Sequence, residues 1–126
     1  MIAIKNLSGT SVDRKLLTGV AKIVLKGENT IIGKEISLVF VKEDKIKEIN
    51  KKYRRKNKPT DVLSFEGINE IFICPSLAKG RIKHVLIHAL LHLSGYDHKA
   101  EKETELMEKK EIHYLSLCQK AKLLQG

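Results

Sequence analysis

The chain has 126 residues, of which 42% are hydrophobic, and its 24 Lys and Arg residues against 15 Asp and Glu give a formal net charge of +9. This length suits one domain with an ordinary apolar core, and the excess of positive charge favours a polyanionic partner, most often a nucleic acid. No apolar run reaches the ~18 residues of a membrane span, and the first residues lack a signal-peptide pattern. With Cys74 and Cys118 outside any CxxC pair, we expect a cytoplasmic protein with two buried thiols and no membrane partner.

Hydrophobic periodicity predicts eight elements in the order β-α-β-α-β-β-α-α. Runs of β-forming and apolar residues predict strands at 2–5, 35–41, 61–65 and 69–74. Apolar residues spaced three and four apart predict helices at 12–26, 43–53, 82–94 and 99–123. This order is typical of an α+β domain, so we expect residues 1–126 to form a single domain with a mixed β-sheet and helices packed on it.

The helical patterns also predict which side chains face the core. Helix 43–53 is expected to turn Tyr53 inward, as a core residue rather than a surface on which a base could stack. In helix 82–94 an apolar stripe is separate from a second stripe that carries histidines. The glutamates in the first turns of the last helix are interpreted as a solvated face. The apolar arc of that helix comprises Leu106, Met107, Tyr114, Leu117, Cys118, Ala121 and Leu124.

Three histidines spaced four and then six residues apart predict a metal site. His88 and His92 lie one turn apart on one helical face, so both imidazoles can reach one ion at the about 2.0–2.1 Å of zinc–nitrogen bonds. Gly95 ends the helix and turns the chain back, which returns His98 as a third ligand. Three protein ligands leave a position for water, as in a catalytic zinc site, although nickel or another divalent ion suits the same ligands.

Neighbouring residues narrow the chemistry of this site. The spacing matches the zinc-protease pattern H-E-x-x-H-x-x-G-x-x-H, but Ala89 stands where that pattern has its general base. His84 is not expected to be a ligand, since a fourth histidine would fill the water position, and could instead support a ligand or contact RNA. Asp97 either caps the last helix or orients a ligand imidazole. Glu101 and Glu105 are minor candidates for proton transfer.

Two separate motifs resemble one family. Residues 88–98 are similar to the H-G-x-L-H-L-x-G-Y-D-H signature of the YbeY family, bacterial zinc-dependent endoribonucleases implicated in ribosomal RNA maturation. Residues 50–65 resemble that family's N…YR…PTDVLSF segment, and residues 71–75 resemble the strand after it. The chain departs from the family pattern at Ala89, where glycine is usual, at residues 69–70, and in a shortened connection at 76–81.

The resemblance implies a zinc-dependent endoribonuclease that cleaves single-stranded RNA. It further implies a role in 16S rRNA 3′-end maturation, ribosome biogenesis and ribosome quality control, with the small ribosomal subunit as partner. It points to Arg54, with Arg55 as the alternative, as a catalytic residue beside His88, His92 and His98. A loop with six cations in eight residues is expected to bind RNA through Lys51, Lys52, Arg54, Arg55, Lys56 and Lys58.

Asp61, with Thr60 and Ser64, is expected at the floor of the cleft. There Asp61 either supports the site or simply begins a strand. No exposed apolar stripe demands a partner, so a monomer is the expectation.

Two other functions stay open at this point. One is a non-catalytic rRNA-binding or ribosome-binding assembly factor with a zinc site. The other is a small metalloprotease, which the missing glutamate and the basic surface oppose.

Overall fold

The computed structural model describes residues 2–28, 34–96 and 100–123. Its elements follow the predicted order, with small differences at their ends. The strands are β1 (Ile2–Asn6), β2 (Ile36–Phe40), β3 (Val62–Phe65) and β4 (Glu70–Ile73), and the helices are α1 (Arg14–Gly27), α2 (Glu43–Arg54), α3 (Ile82–Leu93) and α4 (Glu101–Lys120).

The four strands form one mixed sheet in the order β1-β2-β4-β3. β2 pairs in parallel with β1 and β4, whereas β3 pairs with β4 as an antiparallel hairpin. The turn of that hairpin contains Gly67 and Asn69, both with positive φ. The prediction of an α+β fold with a mixed sheet and helices packed on it is confirmed.

Helices cover both faces of the sheet. Alternation along β2 sends Ile36, Leu38 and Phe40 into a large core shared with α1, α3 and α4. Val39 and the following Val41 point the other way, into a smaller core shared with α2. Because its neighbours bury both faces, β2 is an almost continuous apolar run, as is usual for central parallel strands.

The core around α3 is wider than the sequence pattern predicts. Besides the expected stripe, Ile87 and Leu91 are fully buried, because α3 lies against α1, α4 and the sheet. α1 and α4 approach so closely that a Cβ at Gly27 would lie 2.8 Å from Cε1 of Tyr114. Glycine at position 27 is therefore required by this helix contact.

Three predicted core positions are wrong, and a fourth, Leu124, lies outside the described residues. Tyr53 is 60% exposed, because it lies in the last turn of α2, beyond the part of the helix whose Ile46 and Ile49 reach the core. Leu106 and Ala121 are also exposed, since the buried face of α4 is the narrower stripe of Met107, Glu111, Tyr114 and Cys118. Among the helices that the structure describes, none is both long and apolar enough to cross a membrane.

Candidate metal centre

α3 brings His88 and His92 together at the edge of the large core. Apolar residues on the other sides of the helix are buried, so this face is left to line a cleft. The two rings are nearly perpendicular, at 77°, with centroids 4.7 Å apart. Their Nε2 atoms are separated by 3.1 Å. The rings therefore converge on one point, as the four-residue helical spacing allows.

The Nδ1 atom of each ring faces a hydrogen-bond acceptor. His88 Nδ1 lies 2.7 Å from Oε1 of Glu111, and His92 Nδ1 lies 3.0 Å from the backbone carbonyl oxygen of Tyr96. A carbonyl oxygen and a carboxylate accept hydrogen bonds, so each Nδ1 carries the proton and donates. In the neutral imidazole this tautomer leaves the lone pair on Nε2.

If both rings were neutral and in this tautomer, the Nε2 lone pairs of His88 and His92 would face each other across 3.1 Å, which is repulsive. Either a proton or a cation must lie between them for the contact to be favourable. Two nitrogen ligands of one tetrahedral zinc ion are about 3.3 Å apart, given zinc–nitrogen bonds of about 2.0–2.1 Å. Outer hydrogen bonds from Nδ1 to a carboxylate or carbonyl are typical of metal-binding histidines. His88 and His92 therefore fit a metal ion.

The turn after α3 is tightly defined as far as Tyr96. Gly95 adopts a φ of 107°, and the Tyr96 amide donates to the carbonyl oxygen of Leu91 at 3.1 Å. Asp97 and His98, the predicted orienting residue and third ligand, lie outside the described residues. Within 2–28, 34–96 and 100–123 no group of three His, Cys, Asp or Glu side chains could hold a metal ion. The three-histidine site thus stays a prediction.

Glu111 is the residue that sequence reasoning missed. Its carboxylate is buried and bridges two histidines of α3, accepting from His88 through Oε1 and from His84 through Oε2 at 2.8 Å. A signal was present in the sequence. Glu111 lies four residues after Met107 and three before Tyr114, so it is a charged residue on the apolar stripe of α4. A buried carboxylate requires polar partners, and the two histidines supply them.

A network at the end of α1 supports the same region. The Tyr114 hydroxyl donates to the buried carboxylate of Glu28, and Lys110 Nζ lies 3.4 Å from the same oxygen. Burial, and next the hydrogen bond to Glu28 and its negative charge, raise the pKa of both Tyr114 and Tyr96. Both phenols thus stay neutral at physiological pH, where they tie α1, α4 and the turn after α3 together.

The two histidines line a cleft of about 820 Å³. Its opposite wall comes from β3 and from the loop between α2 and β3. The cleft is lined by Asn50, Arg54, Lys56, Lys58, Thr60, Val62, Leu63, Ser64, Phe65, Glu66, His88, Ala89 and His92. Ala89, whose side chain is a single methyl group, also lines the cleft, at the position where the protease pattern has its glutamate.

The structure brings some of the predicted cations to the cleft and not others. Arg54, Lys56 and Lys58 line it, whereas Lys51, Lys52 and Arg55 are not among its lining residues. The reason is the end of α2, where Arg55 takes a left-handed conformation with φ 58° and turns the chain. The buried Asn50 side chain then donates to the carbonyl oxygen of Lys58 at 2.9 Å and holds the loop.

Arg54 lies on the wall formed by β3. Its Nη2 donates to the carbonyl oxygen of Ser64 at 2.7 Å, and its guanidinium carbon is 5.0 Å from the centroid of the Phe65 ring. Asp61 has a different position from the one expected. Its carboxylate accepts from Arg81 at 2.8 Å, at the start of α3, and it does not line the cleft.

Comparison with known proteins connects this geometry to one family. The model of the family described as "Endoribonuclease YbeY" matches residues 4–119. Proteins named endoribonuclease YbeY from Francisella tularensis subspecies mediasiatica and novicida are each 36% identical over 65% of this chain. The chain covers 66% of their length, just under two thirds. The solution structure of TM1509 from Thermotoga maritima superposes with a TM-score of 0.63 and 27% identity, over 100% of this chain and 97% of that one.

Proposed function

Since the chain belongs to the endoribonuclease YbeY family, we propose that it is a metal-dependent endoribonuclease that cleaves single-stranded RNA. One observation carries the proposal. Two imidazoles whose Nε2 atoms converge to 3.1 Å share a cleft of about 820 Å³ with Arg54, Lys56 and Lys58. Nitrogen ligands suit a metal ion, and a cationic wall suits the phosphates of a nucleic acid.

The proposed metal is one zinc ion held by His88, His92 and His98, with nickel as another ion that these ligands accept. Bound there, zinc supplies Lewis acidity towards water and phosphoryl oxygens. Glu111 and the Tyr96 carbonyl hold the first two rings in the tautomer that presents Nε2. Asp97 is proposed to help orient this ligand set. The role of the chain itself is thus to fix ring orientation before substrate arrives.

Arg54 is the proposed phosphate-binding residue. Its planar guanidinium can form two parallel hydrogen bonds to a phosphate, which neutralise the charge that develops as the phosphodiester bond breaks. The hydrogen bond to the Ser64 carbonyl oxygen and the contact with Phe65 keep the group at the cleft wall. Lys56 and Lys58 add attraction for the backbone. Arg55, Lys51 and Lys52 are proposed to contact RNA outside the cleft.

The described lining of the cleft does not favour peptide hydrolysis. Ala89 carries no proton-transfer group, and the wall opposite the histidines is cationic.

The finer proposal is that residues 1–126 form one cytoplasmic, monomeric domain that acts on rRNA of the small ribosomal subunit. Its roles would be 16S rRNA 3′-end maturation, ribosome biogenesis and quality control. The family membership supports this role, and the basic net charge is consistent with it.

Metal analysis joined to an RNase assay tests the function. Purified protein should contain about one equivalent of zinc and cleave single-stranded RNA in a chelator-sensitive manner. His88→Ala should lose both, and Arg54→Ala should keep the metal but cleave about 100-fold more slowly. His113→Ala, at an exposed histidine of α4 outside the cleft, is the matched control and should behave as the wild type.

Two results would contradict the proposal. Bound metal without metal-dependent cleavage would favour the non-catalytic ribosome-binding factor, and absence of metal would overturn the site itself. The cellular role needs a separate measurement. In a strain that lacks the gene, the wild type should restore mature 16S 3′ ends and Arg54→Ala should not. Complementation by Arg54→Ala would show that cleavage is not the cellular role.

A further inference from the structure

A second, apolar groove lies beside the cleft. Its volume is about 330 Å³, and it is bounded by the last turns of α2 and by the β3–β4 hairpin. Its apolar lining consists of Ile49, Tyr53, Phe65, Ile68 and Phe72. Two of these side chains are more solvent-exposed than is usual for large apolar residues: Tyr53 is 60% and Ile68 is 66% exposed. Large exposed apolar side chains gathered around a groove are typical of binding sites.

Phe65 joins this groove to the cleft, because its ring lines both. On the groove side the Tyr53 ring meets Phe65 edge to face, with centroids 5.6 Å apart. Phe72 packs against Phe65 in the same manner at 6.0 Å. On the cleft side the Arg54 guanidinium lies 5.0 Å from the same ring. A strand whose phosphate binds Arg54 therefore has an aromatic surface next to it.

The charges around the groove suit an uncharged group. Lys45 and Lys52 are balanced by Glu48 and Glu70, and Lys45 lies 3.7 Å from Glu48. The cleft, by contrast, has three cations and one acidic side chain, that of Glu66, among the described residues that line it. Phosphates are therefore attracted to the cleft and not to the groove. Lys52 Nζ lies over the Tyr53 ring at the groove rim, 5.3 Å from the ring centroid.

We propose that this groove is a base-binding subsite, in which Tyr53 stacks on one unpaired base of the RNA strand whose phosphates occupy the cleft. The inference rests on the proposed function and adds a physical basis for a preference for single strands. Only an unpaired base can leave its neighbours and enter an apolar groove. Aromatic side chains beside a cationic groove are the usual arrangement in proteins that bind single-stranded nucleic acid.

Binding to RNAs of two lengths tests the subsite. The full-length, metal-loaded protein is titrated into fluorescein-labelled 2′-O-methyl phosphorothioate RNA, which resists cleavage and keeps its bases and charge. Tyr53→Ala should bind a twelve-nucleotide strand about tenfold more weakly than the wild type, because a stacked base is lost. A three-nucleotide abasic strand, which has phosphates for the cleft but no base to stack on Tyr53, should bind both proteins equally. Tyr53→Phe should restore the affinity for the long strand.

Two controls separate this subsite from the proposed function. Ile112→Ala removes a 68% exposed apolar side chain from α4 and should leave both affinities unchanged. Arg54→Ala should weaken binding of both strands. If the wild type binds neither strand, the proposed function fails. If Arg54→Ala weakens binding but Tyr53→Ala matches the wild type on the long strand, the subsite alone is overturned and the groove is left to an apolar protein segment.

Discussion

The two imidazoles of the candidate metal centre are held in different ways. His88 donates to the side chain of Glu111, which comes from α4 and is 23 residues away in the sequence. His92 donates to a backbone carbonyl, that of Tyr96, only four residues further along the chain. The orientation of His88 therefore depends on the docking of α4 and on one particular side chain. The orientation of His92 depends on the backbone turn after α3.

This difference predicts opposite sensitivities to mutation. A side-chain substitution can remove the acceptor of His88, whereas no substitution at residue 96 removes the backbone carbonyl that serves His92. The turn itself is sensitive to its glycine, because Gly95 has a positive φ that other residues adopt at a cost. Substitutions on α4 and in the turn therefore probe the two supports separately.

The largest expected effect is that of Glu111→Ala. Loss of the carboxylate removes the outer hydrogen bond of a ligand, which should weaken zinc affinity by about 10–100-fold. Glu111→Gln keeps an acceptor oxygen and should have an intermediate effect. Competition with a chromophoric chelator measures both. Tyr96→Phe is the contrasting variant, because it keeps the backbone carbonyl that accepts from His92, and its zinc affinity should stay near that of the wild type. A loss of zinc affinity as large as in Glu111→Ala would contradict this difference between the two histidines.

Gly95→Ala should have the next largest effect. No atom of the described residues lies within 4 Å of the added Cβ, so the expected cost is that of backbone strain, about 1–2 kcal/mol in the free energy of unfolding. Denaturant unfolding of the metal-free protein measures it. Gly80→Ala is the matched control, since Gly80 also has a positive φ and open space around it. Zinc affinity should fall in Gly95→Ala and not in Gly80→Ala.

His84→Ala should have a smaller effect on the metal centre. His84 donates to the oxygen of Glu111 that does not contact His88. Loss of the His84 side chain therefore removes one of the two hydrogen bonds that hold the Glu111 carboxylate, but the carboxylate itself stays. We expect zinc affinity to fall by about threefold, below the range for losing an outer partner directly. Titration calorimetry can resolve such a change. A loss equal to that of Glu111→Ala would mean that His84 holds the metal itself.

The smallest effect concerns pH and the docking of α4. The pKa of Tyr114 is raised above its ordinary 10.0 by burial and then by Glu28. The stability contributed by its neutral phenol is therefore complete below pH ~10 and falls as pH rises towards the folded-state pKa, because the unfolded chain loses the proton first. Tyr114→Phe should melt lower at neutral pH but change less between about pH 9 and 11. Parallel slopes would contradict this account.

The local pattern of apolar and polar residues in the sequence predicted most of the fold. The element order follows from hydrophobic periodicity, and the structure agrees with the predicted order throughout the segments it describes. Tyr53 shows the limit of that reasoning. Its spacing from Ile46 and Ile49 is helical, yet α2 extends beyond the core at this end, and periodicity carries no information on where the core stops.

Sequence alone determined the features that depend on neighbouring residues. The four-residue spacing puts His88 and His92 on one face of α3, and Gly95 allows the turn that brings the Tyr96 carbonyl to His92. Only the tertiary structure decided which distant groups meet them. The docking of α4 buries Glu111 against His88, and the loop after α2 brings Lys56 and Lys58 to the cleft, whereas Lys52, on α2 itself, does not line it. The reason is that backbone geometry fixes the spacing of close neighbours, whereas partners far apart in the chain are set by packing.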